Sequence, residues 1–463
     1  MYQFPVAKED LNKVLAAALE RGGEYADIFM EHSAITSLEL QDGVVSQSQQ
    51  CILYGAGIRT LCAEKTGYAY SMDLSQEALL QAAKFAGSVG LYGEVNPRRV
   101  PSLSVNVPSV TDLTEAVPFE NEKSRQILLS IDQKAHERDS RVVRVKAAIT
   151  QRIQDIWFVN SEGVSYMDQR PRSVLFLTIV MEQNGQTQMG FSSRMAQMDA
   201  QFLSDVLIDD VLGEALSRTS FLFDAVQLEG GEMPVVMAAG ASGILMHEAI
   251  GHAFEADFNR TGDSIFSGKM GQRICDSSIS IVDDGTLPGD AGYLRYDDEG
   301  VAGQRTVLVD HGVLNSYLHD RITARHYGVA PTGNGRRESF RCMPLPRMRS
   351  TYMLGGDVPE EDIIRSVKRG VYAQTFTNGQ VQIGAGDFTF YMKQGYLIED
   401  GHLTQPIRDM NIIGNGPQAL QRISMVGNNL KIDHSASMCG KGGQSVPVSQ
   451  GLPSVLIDKL VVG

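Results

Sequence analysis

Apolar positions along the first half of the chain change period several times. Leu11, Val14, Leu15, Ala18 and Leu19 recur at i, i+3, i+4, i+7 and i+8, which predicts a helix closed by Gly22. Strand-like runs follow around Tyr25–Met30, Ser37–Leu40 and Cys51–Leu61. A second helix is predicted from about Ser75 to Ala86, with Asp73 or Ser75 as its cap, and a third from about Glu120 to Arg138. Val142–Ile149 and Ile153–Val159 alternate as strands before a turn at Asn160-Ser161-Glu162-Gly163. Val174–Glu182 runs into Asn184-Gly185, a type I′ hairpin signal. A last helix spans about Ala200 to Arg218.

Beyond the acidic, glycine-containing stretch Gln227–Glu232 the pattern becomes short strands and turns. Turn signals stand at Asp310-His311-Gly312, Asn378-Gly379 and Glu399-Asp400-Gly401. Strands are predicted at Arg305–Val309, Val371–Phe376, Val381–Ile383, Asp387–Met392 and Gly395–Ile398. This reading gives an α+β chain of two domains. Residues 1–226 form a mixed helix–sheet lobe, and 227–463 an antiparallel β-rich, barrel-like lobe.

The formal charge is −14, from 41 Lys+Arg against 55 Asp+Glu, which argues against direct nucleic-acid binding and against adsorption to anionic membranes. The charge-free stretch Met233–Met246 is too short and too glycine-broken to span a bilayer. Five scattered cysteines form no close pair, so neither a disulfide framework nor a Cys-only zinc site is expected. The N-terminus turns acidic by Glu9-Asp10 and offers no signal-peptide core, so a cytoplasmic location is expected.

One segment carries chemistry. Ser242–Glu255 reads as a helix with His247, Glu248 and His252 spelled H-E-x-x-x-H. Zincins use H-E-x-x-H, whose i, i+4 histidines share a helix face. At i, i+5 and about 100° per residue, the two imidazoles diverge by about 140° on a regular helix. Both reach one ion only if the helix is locally widened, as in a π-bulge, and Gly251 makes that deformation cheaper. A catalytic zinc needs a third protein ligand. The candidates are Glu255, His311, His319, His326, His434 and Cys439. Glu255 could equally stand behind a ligand. Cys439 lies in the glycine-rich stretch Ser437–Gly443, read as a loop, where Lys441 would favour the thiolate.

Arg336, Arg337, Arg341, Arg347 and Arg349 form a basic cluster read as a solvated or interface loop, with a clamp for a peptide carboxylate as the alternative. Asp283-Asp284-Gly285 and Asp297-Asp298-Glu299-Gly300 read as acidic turns without calcium-loop spacing. Gly384-Ala385-Gly386 and Gly414-Asn415-Gly416 open no βαβ unit, so nucleotide binding is unsupported.

Leu245–His252 with Glu255-Ala256-Asp257, Ile281–Gly285, Gly333–Ser339, Pro344–Met348 before Thr351–Leu354, Gly414–Pro417 and Met438–Gln444 together resemble the TldD/PmbA, or modulator of DNA gyrase, family, and its TldD branch in particular. The resemblance implies an intracellular zinc metallopeptidase acting on small or unfolded polypeptides. It implies that His247, His252 and Cys439 hold Zn²⁺ and that Glu248 is the catalytic glutamate. It also implies a homodimer, or a heterodimer with a subunit of the sister branch, which lacks H-E-x-x-x-H. The alternative reading is a non-catalytic, peptide-binding regulatory subunit of such a complex.

Overall fold

The computed structural model describes residues 1–92 and 115–463. In the first lobe six antiparallel strands form one sheet, in the order β3-β2-β1-β4-β5-β6. They are β1 (Tyr25–Gln41), β2 (Val44–Cys62), β3 (Lys65–Ser71), β4 (Val142–Asn160), β5 (Ser165–Gln183) and β6 (Gln186–Ala196). Two helices, α1 (Lys8–Leu19) and α2 (Gln76–Ala86), bury Leu11, Val14, Leu15, Leu79 and Ala83 against Ile28 and Ile58. Two more, α3 (Asn121–Arg138) and α4 (Asp205–Asp224), bury Leu128, Ile131, Val211 and Leu212 against Val145, Leu177 and Ile179.

The strands are longer than their apolar runs. Tyr25–Met30 and Ser37–Leu40 belong to one strand, as do Val142–Ile149 and Ile153–Val159, and β1 pairs with β4 without a break from Asp27↔Asn160 to Gln41↔Lys146. Glu31, Ser33 and Gln151, between the runs, are buried and hydrogen-bonded, so hydropathy hides them. The Ser33 hydroxyl donates to Glu31 (2.6 Å), and the Gln151 side-chain carbonyl accepts from the Phe119 amide (2.8 Å). Five two-residue turns, Asp42-Gly43, Asn184-Gly185, His311-Gly312, Asp400-Gly401 and Gly442-Gly443, take positive φ at both positions, as type I′ hairpins require.

The second lobe contains β7 (Gly231–Met237), β8 (Ile281–Asp284), β9 (Arg305–Asp310), β10 (Val313–Leu314), β11 (Gly335–Arg336), β12 (Leu345–Pro346), β13 (Ser350–Met353), β14 (Arg369–Val381), β15 (Asp387–Glu399), β16 (His402–Asn415), β17 (Ile423–Val426), β18 (Lys431–Lys441), β19 (Gln444–Leu452) and β20 (Val455–Val462). Strands β16-β15-β14-β7-β20 close on themselves through Ile412↔Val462 and Ile413↔Val461, giving a five-stranded barrel. A second sheet runs β10-β9-β8-β13-β19-β18. The α+β class with a barrel-like second lobe is therefore observed. One predicted turn is not: Asn378-Gly379 lies inside β14, where a Cβ on Gly379 would come within 2.6 Å of Phe390. The chain reverses instead at residues 382–386, with Gly386 at φ +79°.

The barrel, the second sheet and the motif segment share one core. Leu245, Met246, Ala249 and Ile250 pack in the same cluster as Val235, Phe390, Val446 and Leu452. No helix among the described residues is long and apolar enough to cross a membrane.

Candidate metal centre

The motif segment is not a regular helix. Ala241–Gly243 form a 3₁₀ turn, Leu245–Gly251 a π-helix and His252–Phe254 a second 3₁₀ turn. The wide turn supplies the extra residue that the i, i+5 spacing demands. His247 and His252 then stand on the same side, ring centroids 5.0 Å apart and planes at 81°. Gly251 serves this turn by packing rather than by backbone freedom. Its φ and ψ are ordinary (−59°, −49°), but a Cβ there would lie 2.1 Å from the Met348 sulfur and 2.9 Å from the Met246 carbonyl.

Cys439 reaches the histidines from the second sheet. It lies on β18 opposite Val446 of β19, not in a glycine-rich loop. The turn falls at Gly442-Gly443, both with positive φ. Its Sγ is 3.5 Å from His252 Nε2, and one ligand atom from each of His247, His252 and Cys439 lies within 4.8 Å of the others. All three are buried. Burial pushes the Cys439 thiol up, but the two imidazoles override it and hold it near a pKa of about 4.

Behind this trio stands an ionic frame. Burial disfavours charge on His252, yet Glu255 and Cys439 raise its pKa well above the ordinary range. Glu255, fully buried, accepts from His252 Nδ1 at 2.9 Å. Burial would raise its carboxyl, but Lys441, His252 and Arg347 bring it down to about 2. Lys441 Nζ donates to Glu255 (3.1 Å), Asp257 (2.7 Å) and the Pro346 carbonyl (3.0 Å), and lies 4.3 Å from the Phe258 ring centroid. The predicted pairing of Lys441 with the thiolate is thus replaced by a pairing with Glu255. Residues i and i+2 of a strand share a face, so Lys441 follows Cys439 to the same side, a signal legible once the segment is read as a strand.

Of the other third-ligand candidates, Glu255 faces the far nitrogen of His252. His311 sits exposed in the β9–β10 turn, His319 packs between Tyr317 and Tyr327, His326 bonds Glu64 (2.6 Å), and His434 lies 3.7 Å from Asp290. Glu248 is half-buried beside His247, and its carboxylate makes no hydrogen bond or ion pair with any described residue.

Of the basic cluster only Arg341 is exposed; the other four arginines are buried. Arg336, Arg337, Arg347 and Arg349 are all at most 5% exposed. Irregular stretches separate the short elements between β8 and β13, and guanidinium groups serve carbonyls there and on β18 and β19. Arg349 donates to the carbonyls of Gly292 (3.1 Å) and Gly333 (2.9 Å), and Arg336 to those of Met348 (2.6 Å) and Pro447 (2.7 Å). Arg347 donates to the Cys439 carbonyl and so ties β18 to the frame. Asp283 is likewise a buried acceptor on β8, taking bonds from Arg349 N (2.9 Å), Asn334 (2.7 Å) and Thr351 (2.7 Å). The Asp297–Gly300 segment is a turn, as predicted, but a buried one. Glu299 reaches across to Arg59 of β2 (2.6 Å), which also holds Asp27 of β1.

Two imidazoles and a thiolate suit a borderline-soft divalent cation, zinc above all. His247 Nδ1 is a buried polar atom with no hydrogen-bond partner. The residues present fit such an ion.

Profiles of the PmbA/TldA metallopeptidase family match almost the whole chain: domain 1 over residues 26–89, the central domain over 114–220 and the C-terminal domain over 230–463. A metalloprotease TldD homolog of Haemophilus influenzae is 36% identical over 451 residues, 96% of this chain and 93% of its own. A metalloprotease of Methanothermobacter thermautotrophicus is 32% identical over 95% of both chains. A zinc metalloprotease TldD homolog of Saccharolobus solfataricus is 34% identical over 57% of this chain and 58% of its own. Among solved structures, a candidate modulator of DNA gyrase from Thermotoga maritima superposes with TM-score 0.76 at 22% identity, over 98% of this chain and 100% of that one. TldE from Thermococcus kodakarensis gives 0.73 at 18%, over 98% and 100%. Near-full-length similarity, over both lobes, places this chain in the TldD/PmbA family of metallopeptidases.

Proposed function

We propose that the chain is a zinc-dependent peptide hydrolase acting on small or unfolded polypeptides in the cytoplasm, alone as a homodimer or with a sister-branch subunit. His247, His252 and Cys439 would hold the ion and Glu248 would be the general base. The observation that carries this reading is the convergence of three buried ligand atoms within 4.8 Å, from a π-turn and a separate sheet. Zinc, when bound, supplies a Lewis acid that acidifies a water and polarises a carbonyl.

The chain's own residues do the rest. Glu255 engages Nδ1 of His252, which fixes the ring and leaves Nε2, the nitrogen facing Cys439, for the ion. Cys439 would bind as a thiolate, and an ion would displace the proton that Glu255 and Cys439 favour on His252. Glu248, adjacent to His247 yet free of partners among the described residues, takes the proton of the attacking water and returns it to the leaving amine. Its freedom suits a proton carrier, since a carboxylate locked in an ion pair would be a weaker base.

Elemental analysis with a cleavage assay on an unstructured peptide tests the reading. One zinc per chain, chelator-sensitive cleavage and a Glu248→Gln variant that keeps the metal but loses turnover are expected. Chelator-resistant cleavage would overturn the metal's role, and an active Glu248→Gln variant that of the glutamate.

A further inference from the structure

A cavity of about 40 Å³ lies where the sheet of the first lobe meets the second lobe. One wall is a face of β4 and β5, on which Arg152 stands directly opposite Arg172 and Gln154 opposite Arg170. The other wall belongs to the second lobe, with Arg336, Arg337 and Glu338 at β11 and just after it, and Ser445 and Pro447 on β19. Five arginines therefore converge on a small space. Like charges directly opposite one another destabilise a sheet, and a buried charge is costly without a partner.

Three of the five have an answering carboxylate. Arg170 pairs with Asp168 (2.9 Å) and Asp298 (2.6 Å), Arg152 with Glu31 (2.5 Å) and Arg337 with Asp27 (3.4 Å). Two have none among the described residues. Arg336 donates only to the carbonyls of Met348 and Pro447. Arg172 makes no hydrogen bond or ion pair with any described residue. The carboxylate of Glu338, on the same wall as Arg336, accepts from the Ser445 amide (2.8 Å) and forms no ion pair. Burial, with Arg152 adding to it, pulls the Arg172 pKa down to about 10, and burial with Arg349 pulls that of Arg336 down to about 9. The side-chain amide of Gln154 and the hydroxyl of Ser445 bond no described residue either. A volume of this size takes about three waters or one small oxyanion. Guanidinium groups present paired N–H donors that match oxyanions. We infer that the cavity binds a small inorganic oxyanion of the phosphate class, held by Arg172 and Gln154 from the first lobe and by Arg336 and Ser445 from the second. Bound there, the ion offsets the repulsion between Arg152 and Arg172 and ties the two lobes together. The inference rests on the arginines and is independent of metal binding and of peptide cleavage.

Calorimetry and thermal unfolding of the full chain test it, with inorganic phosphate as the probe and sodium chloride of equal ionic strength as the control. Phosphate should bind once per chain and raise the melting temperature progressively with its concentration, beyond any shift that chloride gives. Arg172→Met and Arg172→Gln each remove the unpaired charge and leave the strand in place. Either should weaken phosphate binding at least about tenfold. Either should also melt higher than the wild type in chloride, because Arg152 then faces no like charge; an arginine that only packs would give the opposite sign. Equal shifts with phosphate and chloride, undiminished phosphate binding in both variants, or variants that melt lower in chloride would each overturn the inference.

Discussion

Replacing Glu255 by Gln removes one charge from the ionic frame while keeping nearly the same shape. In the native protein that carboxylate holds His252 Nδ1 at 2.9 Å and Lys441 Nζ at 3.1 Å, with Arg347 at 3.9 Å, and none of these groups has much access to water. Breaking a buried ion pair costs about 3–5 kcal/mol. Lys441 keeps Asp257 at 2.7 Å and the Pro346 carbonyl at 3.0 Å, so the low end, about 3 kcal/mol, is expected. A second effect falls on the metal. Partners of ligating histidines are worth about 10–100-fold in affinity, or about 1.4–2.7 kcal/mol. A zinc competition titration against a chromophoric chelator reads the second effect, and chemical unfolding of the metal-free protein reads the first. The variant should bind zinc at least about tenfold more weakly and unfold earlier. Wild-type zinc affinity in a folded Glu255→Gln protein would refute the idea that Glu255 orients His252 for the ion.

Gly251→Ala forces a methyl within 2.1 Å of the Met348 sulfur, and overpacking of this kind costs about 1–3 kcal/mol; the melting temperature should drop, with partial recovery in Gly251→Ala/Met348→Ala because the Met246 carbonyl still lies 2.9 Å away. His319 is held neutral by burial, its pKa lowered from 6.5 to about 4. The unfolded chain takes up this proton first, so stability is full above pH 6.5 and falls by up to about 3 kcal/mol as pH drops to 4; His319→Gln should flatten that part of the stability–pH curve, and an unchanged slope would exclude the residue as its source. Arg59→Met leaves Asp27 and Glu299 buried without their shared cation, which should cost about 3–5 kcal/mol in urea unfolding and speed proteolysis between the lobes; wild-type behaviour in both would show the pair to be dispensable.

How much of this was legible in the sequence follows from what each residue's partners are. The i, i+5 spacing of His247 and His252 demanded a widened turn on geometry alone, because no regular helix brings those rings together. The dipeptide turns at Asn184-Gly185 and Asp400-Gly401 were legible because positive φ is a local property. Asn378-Gly379 misled for the complementary reason: its glycine makes room for Phe390, a distant residue that no local pattern reveals. The place of the four buried arginines was not legible, since charge normally marks the surface, and the carbonyls and carboxylates that they serve come from distant segments, among them Gly292, Gly333, Pro447, Cys439 and Asp27. Cys439 could be singled out by resemblance, but not its strand, because the glycines at 440, 442 and 443 just after it suggested a loop. Glu255 was weighed as a ligand or as a support, and only its 2.9 Å contact with His252 Nδ1 separates the two.

Zinc-edge X-ray absorption of the metal-loaded protein tests the central claim most directly. The account predicts one sulfur at about 2.3 Å and two imidazole nitrogens at about 2.0–2.1 Å, with the sulfur shell absent in Cys439→Ser. A zinc centre of nitrogen and oxygen donors alone in the wild-type protein would contradict it.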